Sequence, residues 1–463
     1  MIGKSTKISD SLFYIFYWIG WVIVLVVGGF GFLLLFTDYS DEGTEVIQEF
    51  LTAIGSSMTP EEFLNPLITT LGLLFICCLI LAFLQTGVIA LLGEELAILI
   101  IYLGPPIIAI GSIAVAIELE MVEPLVVGLI CIGIFIISII YRHKIRASAR
   151  LLELGGEIVF HNPKMLYPAL VALILKTILV ILTFSGMFYL GVMIPPAMEN
   201  EEIINAFGYG LFAVILLVVS LFVGTVVGSF ADATNIAVTQ EWYTKPNQSP
   251  SLFEARKKVS KLRGTIARYA FLVMLIQSQS NSGGSSSTTK SGGVLNLANI
   301  FKINRSVTST AAKVVEYLGF YTLVIIVSKN VNSIFKAFKD SASTSFRNFI
   351  GTAAGKLGIG ITDYFMSATS STILLTIGAV YGYIIFIPDV VGIELDLIGM
   401  ILYVAVFAGI FQIVGSIPLR SLSKPVSSAY MFVLYQTYLD MKSNKSLSKR
   451  LDDKTVKILK KSL

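Results

Sequence analysis

The sequence predicts an all-α, polytopic integral membrane bundle, and three observations carry that expectation. Mean hydropathy is +0.80. Hydrophobic residues make up 55% of the chain and charged ones only 14%, where a soluble protein averages about 25% charged. The few charges are also segregated along the chain, acidic in some loops and basic in others. A surface so poor in charge excludes a soluble enzyme and a disordered chain. Three cysteines in 463 residues exclude a disulfide scaffold.

A membrane-spanning helix needs about 20 mostly apolar residues. Eight segments meet that length: Ser11–Phe36, Pro66–Gly93, Leu96–Ile117, Val122–Tyr141, Leu166–Val192, Ala206–Phe230, Ile361–Ile387 and Leu397–Ile417. The first is too long for a secretory h-region and no cleavage site follows it, so it reads as a retained span. Glu94 and Glu95 read as the turn between the second and third, either a simple polar hairpin or an acidic pair that attracts a cation or pairs with the Arg142–Arg150 run. With a cytoplasmic N-terminus, the segments 37–65, 118–123, 197–202 and 389–396 face outward; they carry Asp and Glu but no Lys or Arg. The inward segments 142–164, 231–263, 329–360 and 441–463 hold most of the 34 basic residues. Lys and Arg resist translocation, so this alternation supports both the span count and the orientation. Two shorter apolar segments, 265–276 and 314–327, flank a basic stretch without acidic residues. The charge rule favours keeping that stretch inside, with the two segments dipping in as re-entrant or interfacial helices; two full crossings would give ten spans.

The chain divides into an N-terminal four-span unit (1–150), a core membrane unit (151–440) and a basic cytoplasmic tail (441–463). The core unit mixes spans with amphipathic cytoplasmic helices and holds a Ser/Gly loop at 278–293. Its amphipathic stretches are Ser251–Arg268, Ser333–Gly360 and the aromatic Val426–Leu439. They suit the bilayer interface, with Lys and Arg on anionic headgroups. The order of these pieces carries a resemblance. A span leads into Phe230-Ala-Asp-Ala-Thr-Asn-Ile-Ala237, then the basic Ser251–Ile276, then Ala312–Val327. Ile334–Ile350 follows and runs into Gly355-Lys-Leu-Gly-Ile-Gly360, before two spans and a Tyr-containing closing helix. Over about 206–440 this resembles a family of uncharacterised multi-pass membrane proteins of archaea and bacteria. The resemblance implies a prokaryotic, archaeal plasma-membrane setting and no particular reaction.

Ionisable and polar residues inside spans are the default functional candidates, because burying them is costly. Lys176 lies within the fifth span; it reads as a snorkelling lysine or as a contact for substrate or lipid headgroup. Asp232 and Asn235 share a helical face and read as packing or as a polar vestibule under the sixth span. Asp363 opens the seventh span as a cap. Gln85 and Gln412 read as interhelical hydrogen-bonding groups or as pore lining. Gly224 with Gly228, and Gly351 with Gly355, form small-xxx-small pairs for close helix packing. Gly104-Pro105-Pro106 reads as a break in the third span, either a packed kink or an exposed backbone site. His143 and His161 have no ligand set around them. No phosphate loop, nucleophile elbow or nucleic-acid-binding motif occurs. No enzyme activity, cofactor, metal or nucleic-acid partner is therefore expected. The expected partners are the bilayer with its anionic headgroups and a membrane protein or second copy of the chain. The scarcity of buried charge favours a structural or assembly subunit of a membrane complex, with transport or permeation of a small solute or lipid as the alternative.

Overall fold

The computed structural model describes residues 2–37, 60–119, 122–194, 203–280, 317–347, 372–380, 397–443 and 445–462, with 48, 315 and 352. Among them the regular structure is helical and no strand occurs. The helices are α1 (Ile2–Thr37), α2 (Pro60–Leu119), α3 (Val122–Ile140), α4 (Arg142–His161), α5 (Leu166–Val192), α6 (Ile203–Thr244), α7 (Leu252–Ser260), α8 (Arg263–Ser280), α9 (Thr322–Ser328), α10 (Ile334–Arg347), α11 (Leu397–Lys442) and α12 (Asp453–Ser462). Among the described residues five stretches are long and apolar enough to cross a membrane: Ser11–Leu34, Phe75–Leu99, Ile101–Glu118, Pro163–Val192 and Ile204–Thr244. A sixth arises if Pro124–Ile140 and Ile145–His161, which meet at 87°, form one bent span. Many of their apolar side chains have no protein cover: Ile110 is 71% exposed and Ile117 74%. Exposed apolar surface on that scale marks contact with lipid. The expected span Ile361–Ile387 and the loop 278–293 lie largely outside the described residues.

Two sequence expectations are corrected. Glu94 and Glu95 are not a turn, because α2 runs through them. Glu94 is buried and ion-paired to Arg146 Nε at 2.7 Å and to Lys454 Nζ at 3.1 Å. A carboxylate paired twice tolerates burial inside a helix. Gly104-Pro105-Pro106 does not interrupt the helix either. The two prolines remove two backbone donors, a loss that helices in apolar surroundings accommodate locally. Of the weak segments, α9 has seven residues, at about 1.5 Å per residue far short of the bilayer core. α8 is not among the span-length stretches.

Among the described residues the two largest apolar cores frame the rest. The first lies between α1, α5 and α6, around Trp21, Val24, Leu179, Leu216 and Val223. Glycines set its spacing: a Cβ at Gly28 or Gly31 would overlap the backbone of Leu182 or Ser185 on α5. The second, larger core sits at one end of the bundle. There α4 and the C-terminal parts of α6 and α11 pack around α7 and α9, burying Leu151, Ile158, Ile236, Tyr321, Phe432 and Tyr435. Gly155 and Gly156 on α4 let in two neighbours: a Cβ at Gly155 would lie 3.2 Å from the Val426 carbonyl, and one at Gly156 2.8 Å from the Ala90 nitrogen.

Local sequence explains the short helices of this second core. Ser251 caps α7 by accepting from the Glu254 amide at 3.4 Å, the Ser-x-x-Glu start signal. Asn330, with φ 54°, closes α9 in the left-handed conformation. The Val331 amide then donates back to the Ile326 carbonyl at 3.1 Å, which satisfies a helix-end acceptor. Ser341 on α10 donates to the Leu318 carbonyl at 2.7 Å and accepts from the Tyr321 amide at 3.0 Å. Those bonds fix the turn that delivers α9 into the core.

Candidate functional site

A cavity of about 1040 Å³ spans the junction between the two cores. α5 contributes Lys176 and Thr183, and α6 contributes Ser220, Gly224, Gly228, Ser229 and Asp232. These side chains recur at helical spacing on one face of each helix, so the two helices form a single polar-flecked wall. α8 adds Tyr269, and the segment leading into α9 adds Phe320 and Thr322. α10 adds Phe335 and Phe338, and α11 adds Lys424, Ser427 and Ser428.

Charge enters the cavity on three of those helices. Asp232 attracts Lys176, while Lys424 repels it. Lys176 is partly buried, and its ammonium rests over Gly228: a Cβ there would lie 2.7 Å from Nζ. Glycine thus makes room for the lysine, a use beyond helix packing. Gly224 does serve packing, since a Cβ there would come 3.3 Å from Leu179 Cδ2.

Hydroxyl groups line the end nearer the second core. Ser229, Thr322, Ser427 and Ser428 are all buried. The Thr322 and Ser427 oxygens have no hydrogen-bond partner among the described residues. Such buried polar atoms are costly unless something pairs with them. Thr183 and Ser220 bridge α5 and α6 at 2.7 Å on the opposite side. One ring of the aromatic wall already faces a cation: the Arg268 guanidinium lies 5.0 Å from the Phe335 ring centre, within cation–π range.

Of the sequence candidates, the cavity gathers Lys176, Asp232, Gly224 and Gly228. Asn235 lies one helical turn beyond Asp232 on α6, fully buried, with neither amide atom hydrogen-bonded among the described residues. Gln85 is buried on α2 and is not part of the cavity wall. Gly104, Pro105 and Pro106 lie on α2, also away from it. Asp363, Gly351 and Gly355 lie outside the described residues; so does the side chain of Gln412, whose backbone belongs to α11. Sequence reasoning missed Tyr269, Phe320, Phe335 and Phe338, and the hydroxyls of α11. The aromatics sit in amphipathic helices, where spacing marks an apolar face without telling what faces it. Among the described residues no group of His, Cys, Asp and Glu is placed to hold a metal.

A second ionic site lies in the end core. Arg150 donates to Glu153, to Thr455 Oγ1 at 2.9 Å and to Asp452 at 3.3 Å. With the Lys454–Glu94 pair, these contacts fasten α12 to α4 and α2. Partial burial works against the Asp452 charge. Hydrogen bonds from Thr455 and the Arg150 charge outweigh it and hold the carboxyl below the usual carboxylate range.

Residues 125–436 match the family described as plasma-membrane choline transporter. The match reaches back well before residue 206, where the sequence resemblance begins, and it carries a function where that resemblance implies none. It covers more than half of the chain and every helix that walls the cavity. No individual curated protein matches.

Proposed function

Because the chain belongs to the plasma-membrane choline transporter family, we propose that it moves a small organic amine of the choline type across the membrane through the cavity between α5, α6, α8, α10 and α11. The family assignment favours this reading over a structural or assembly subunit. The observation that carries it within the molecule is the pairing of an aromatic wall with a carboxylate in one cavity. Quaternary ammonium groups are recognised by aromatic faces, with about 0.5–2 kcal/mol per contact. Tyr269, Phe320, Phe335 and Phe338 supply the faces and Asp232 the counter-charge. The unpaired Thr322 and Ser427 hydroxyls suit the alcohol of a choline-like solute. Lys176 is then the resting partner of Asp232: a tethered cation that holds the carboxylate until an incoming ammonium replaces it. The low count of buried charges argued for a scaffold from sequence alone. A solute that carries its own fixed charge needs only one carboxylate, so the same low count fits this transporter.

The test is uptake of radiolabelled choline by proteoliposomes containing the purified chain. Uptake that saturates and is competed by unlabelled choline is expected. Uptake no greater than in protein-free vesicles, together with no choline binding in detergent, refutes the proposal.

A further inference from the structure

A second cleft, of about 340 Å³, opens on another side of the molecule between the start of α1, the start of α5, the middle of α6 and the α7–α8 corner. We infer that it is a binding site for one anionic phospholipid, its phosphate held by Arg256 and Arg263 and its acyl chains lying along α1 and α5.

Position comes first. Tyr14 and Trp18 lie in the opening turns of the span Ser11–Leu34, and Tyr167 in those of Pro163–Val192. All three line the cleft. Trp and Tyr concentrate where a span meets the headgroup layer, so the cleft sits at headgroup depth. Trp18 is 54% exposed and Tyr167 52%, as rings facing lipid should be. On α7, Phe253 is 77% exposed beside this corner, which sets that helix on the membrane surface.

Charge follows. Arg256 and Arg263 line the cleft with Ser260 between them, and no acidic residue lines it. Among the described residues neither arginine forms an ion pair. The nearby Glu254 faces Lys245 instead, at 3.4 Å. The Arg263 guanidinium lies 4.7 Å from the Tyr14 ring centre. That contact holds the planar fork in place and leaves its donors available. Two guanidiniums match a phosphodiester through paired hydrogen bonds, while the Ser260 hydroxyl between them donates to the Lys257 carbonyl at 2.9 Å. Apolar walls continue from this polar end along the spans, so the site suits a lipid better than a soluble anion. It is independent of the choline reading and uses none of the cavity residues. α8 nonetheless links the two sites, since it begins at Arg263 and carries Tyr269 to the cavity.

The test uses the purified full chain and native mass spectrometry, with thermal unfolding as a second readout. Phosphatidylglycerol and phosphatidylcholine with identical acyl chains are compared, beside inorganic phosphate. One phosphatidylglycerol should be retained and should raise the unfolding temperature, while phosphatidylcholine and inorganic phosphate do neither. The R256Q/R263Q double variant should lose phosphatidylglycerol retention about tenfold, the scale of lost charge-assisted hydrogen bonds. Should that variant not fold, S260E keeps both arginines and should give the same loss by repelling the phosphate. The charge-matched K336Q/K339Q on α10 should retain the lipid. Equal retention of the two lipids overturns the assignment, as does equal loss in K336Q/K339Q. Stabilisation by inorganic phosphate matching that by phosphatidylglycerol would give the site to a soluble anion and overturn it too.

Discussion

The bundle of α1, α5 and α6 and the core at its end solve different physical problems with the same chain. In the bundle, apolar side chains point outward as often as inward, and Gly28 and Gly31 bring α1 onto the α5 backbone. Lipid is as apolar as leucine, so burial gives helices no reason to associate there and close packing must do it. In the end core, whole tyrosines and phenylalanines are sealed, among them Tyr321, Tyr430 and Phe432. The Tyr430 hydroxyl is met by Ser148. Ion pairs gather at its rim around Arg150. That is the arrangement of a water-facing protein interior, where burying apolar area supplies the driving force. The difference teaches where a site can form. The cavity lies where the two regions meet, with its polar-flecked wall on α5 and α6 and its aromatic faces on the shorter helices packed beside them.

This contrast orders the expected effects of mutation. The largest belongs to the end core: Phe432→Ala should cost about 3–5 kcal/mol by deleting a fully buried ring. It should show as a drop in thermal unfolding temperature. A cost equal to that of an exposed bundle residue such as Phe207→Ala would erase the distinction between the regions. In the bundle, Gly31→Leu forces α1 away from α5 and should cost about 1–3 kcal/mol, as overpacking does. Cysteine crosslinking between α1 and α5 should weaken while the end core keeps its melting behaviour.

At the junction, Lys176→Met removes the cation that competes for Asp232. Choline affinity should rise about tenfold, an equivalent of ~1.4 kcal/mol, in an equilibrium binding assay. Unchanged or weaker binding would mean that Lys176 does not compete. The smallest effect is at the rim. Asp452→Asn loosens α12 by about 0.5 kcal/mol, because half-exposed pairs are screened, and limited proteolysis of the tail should quicken slightly. The native carboxyl is held below its unfolded pKa, so its contribution is present above about pH 4 and lost as pH falls through the lowered value. Wild type and variant should therefore converge in acid.

Much of this was legible in the sequence, and the boundary is physical. Hydropathy and length mark spans because lipid imposes both. Lys176 stood out because ionisable groups inside spans are rare, and Asp232 because it shares a helical face with Asn235 just beneath the sixth span. Gly224 and Gly228 stood out as a spaced pair, although Gly228 proves to clear space for a side chain. Glu94 lies within a helix and not at a turn: a pairing with the Arg142–Arg150 run was open from the sequence and is made by Arg146, whereas Lys454, far along the chain, is a partner that only tertiary structure reveals. Phe335, Phe338 and Tyr269 were invisible as cavity walls for the same reason. Periodicity shows that a helix has an apolar face, and only tertiary structure shows that the face lines a space.

The central claim is that the solute passes through the junction cavity. Thr225 lines it, and its side chain bonds only back to the Leu221 carbonyl, at 2.8 Å, among the described residues. Thr225→Trp should obstruct the space without disturbing either core. Choline uptake by proteoliposomes of this variant should fall at least to about a tenth of wild type, with the unfolding temperature unchanged. Undiminished uptake by a folded Thr225→Trp protein would contradict the account.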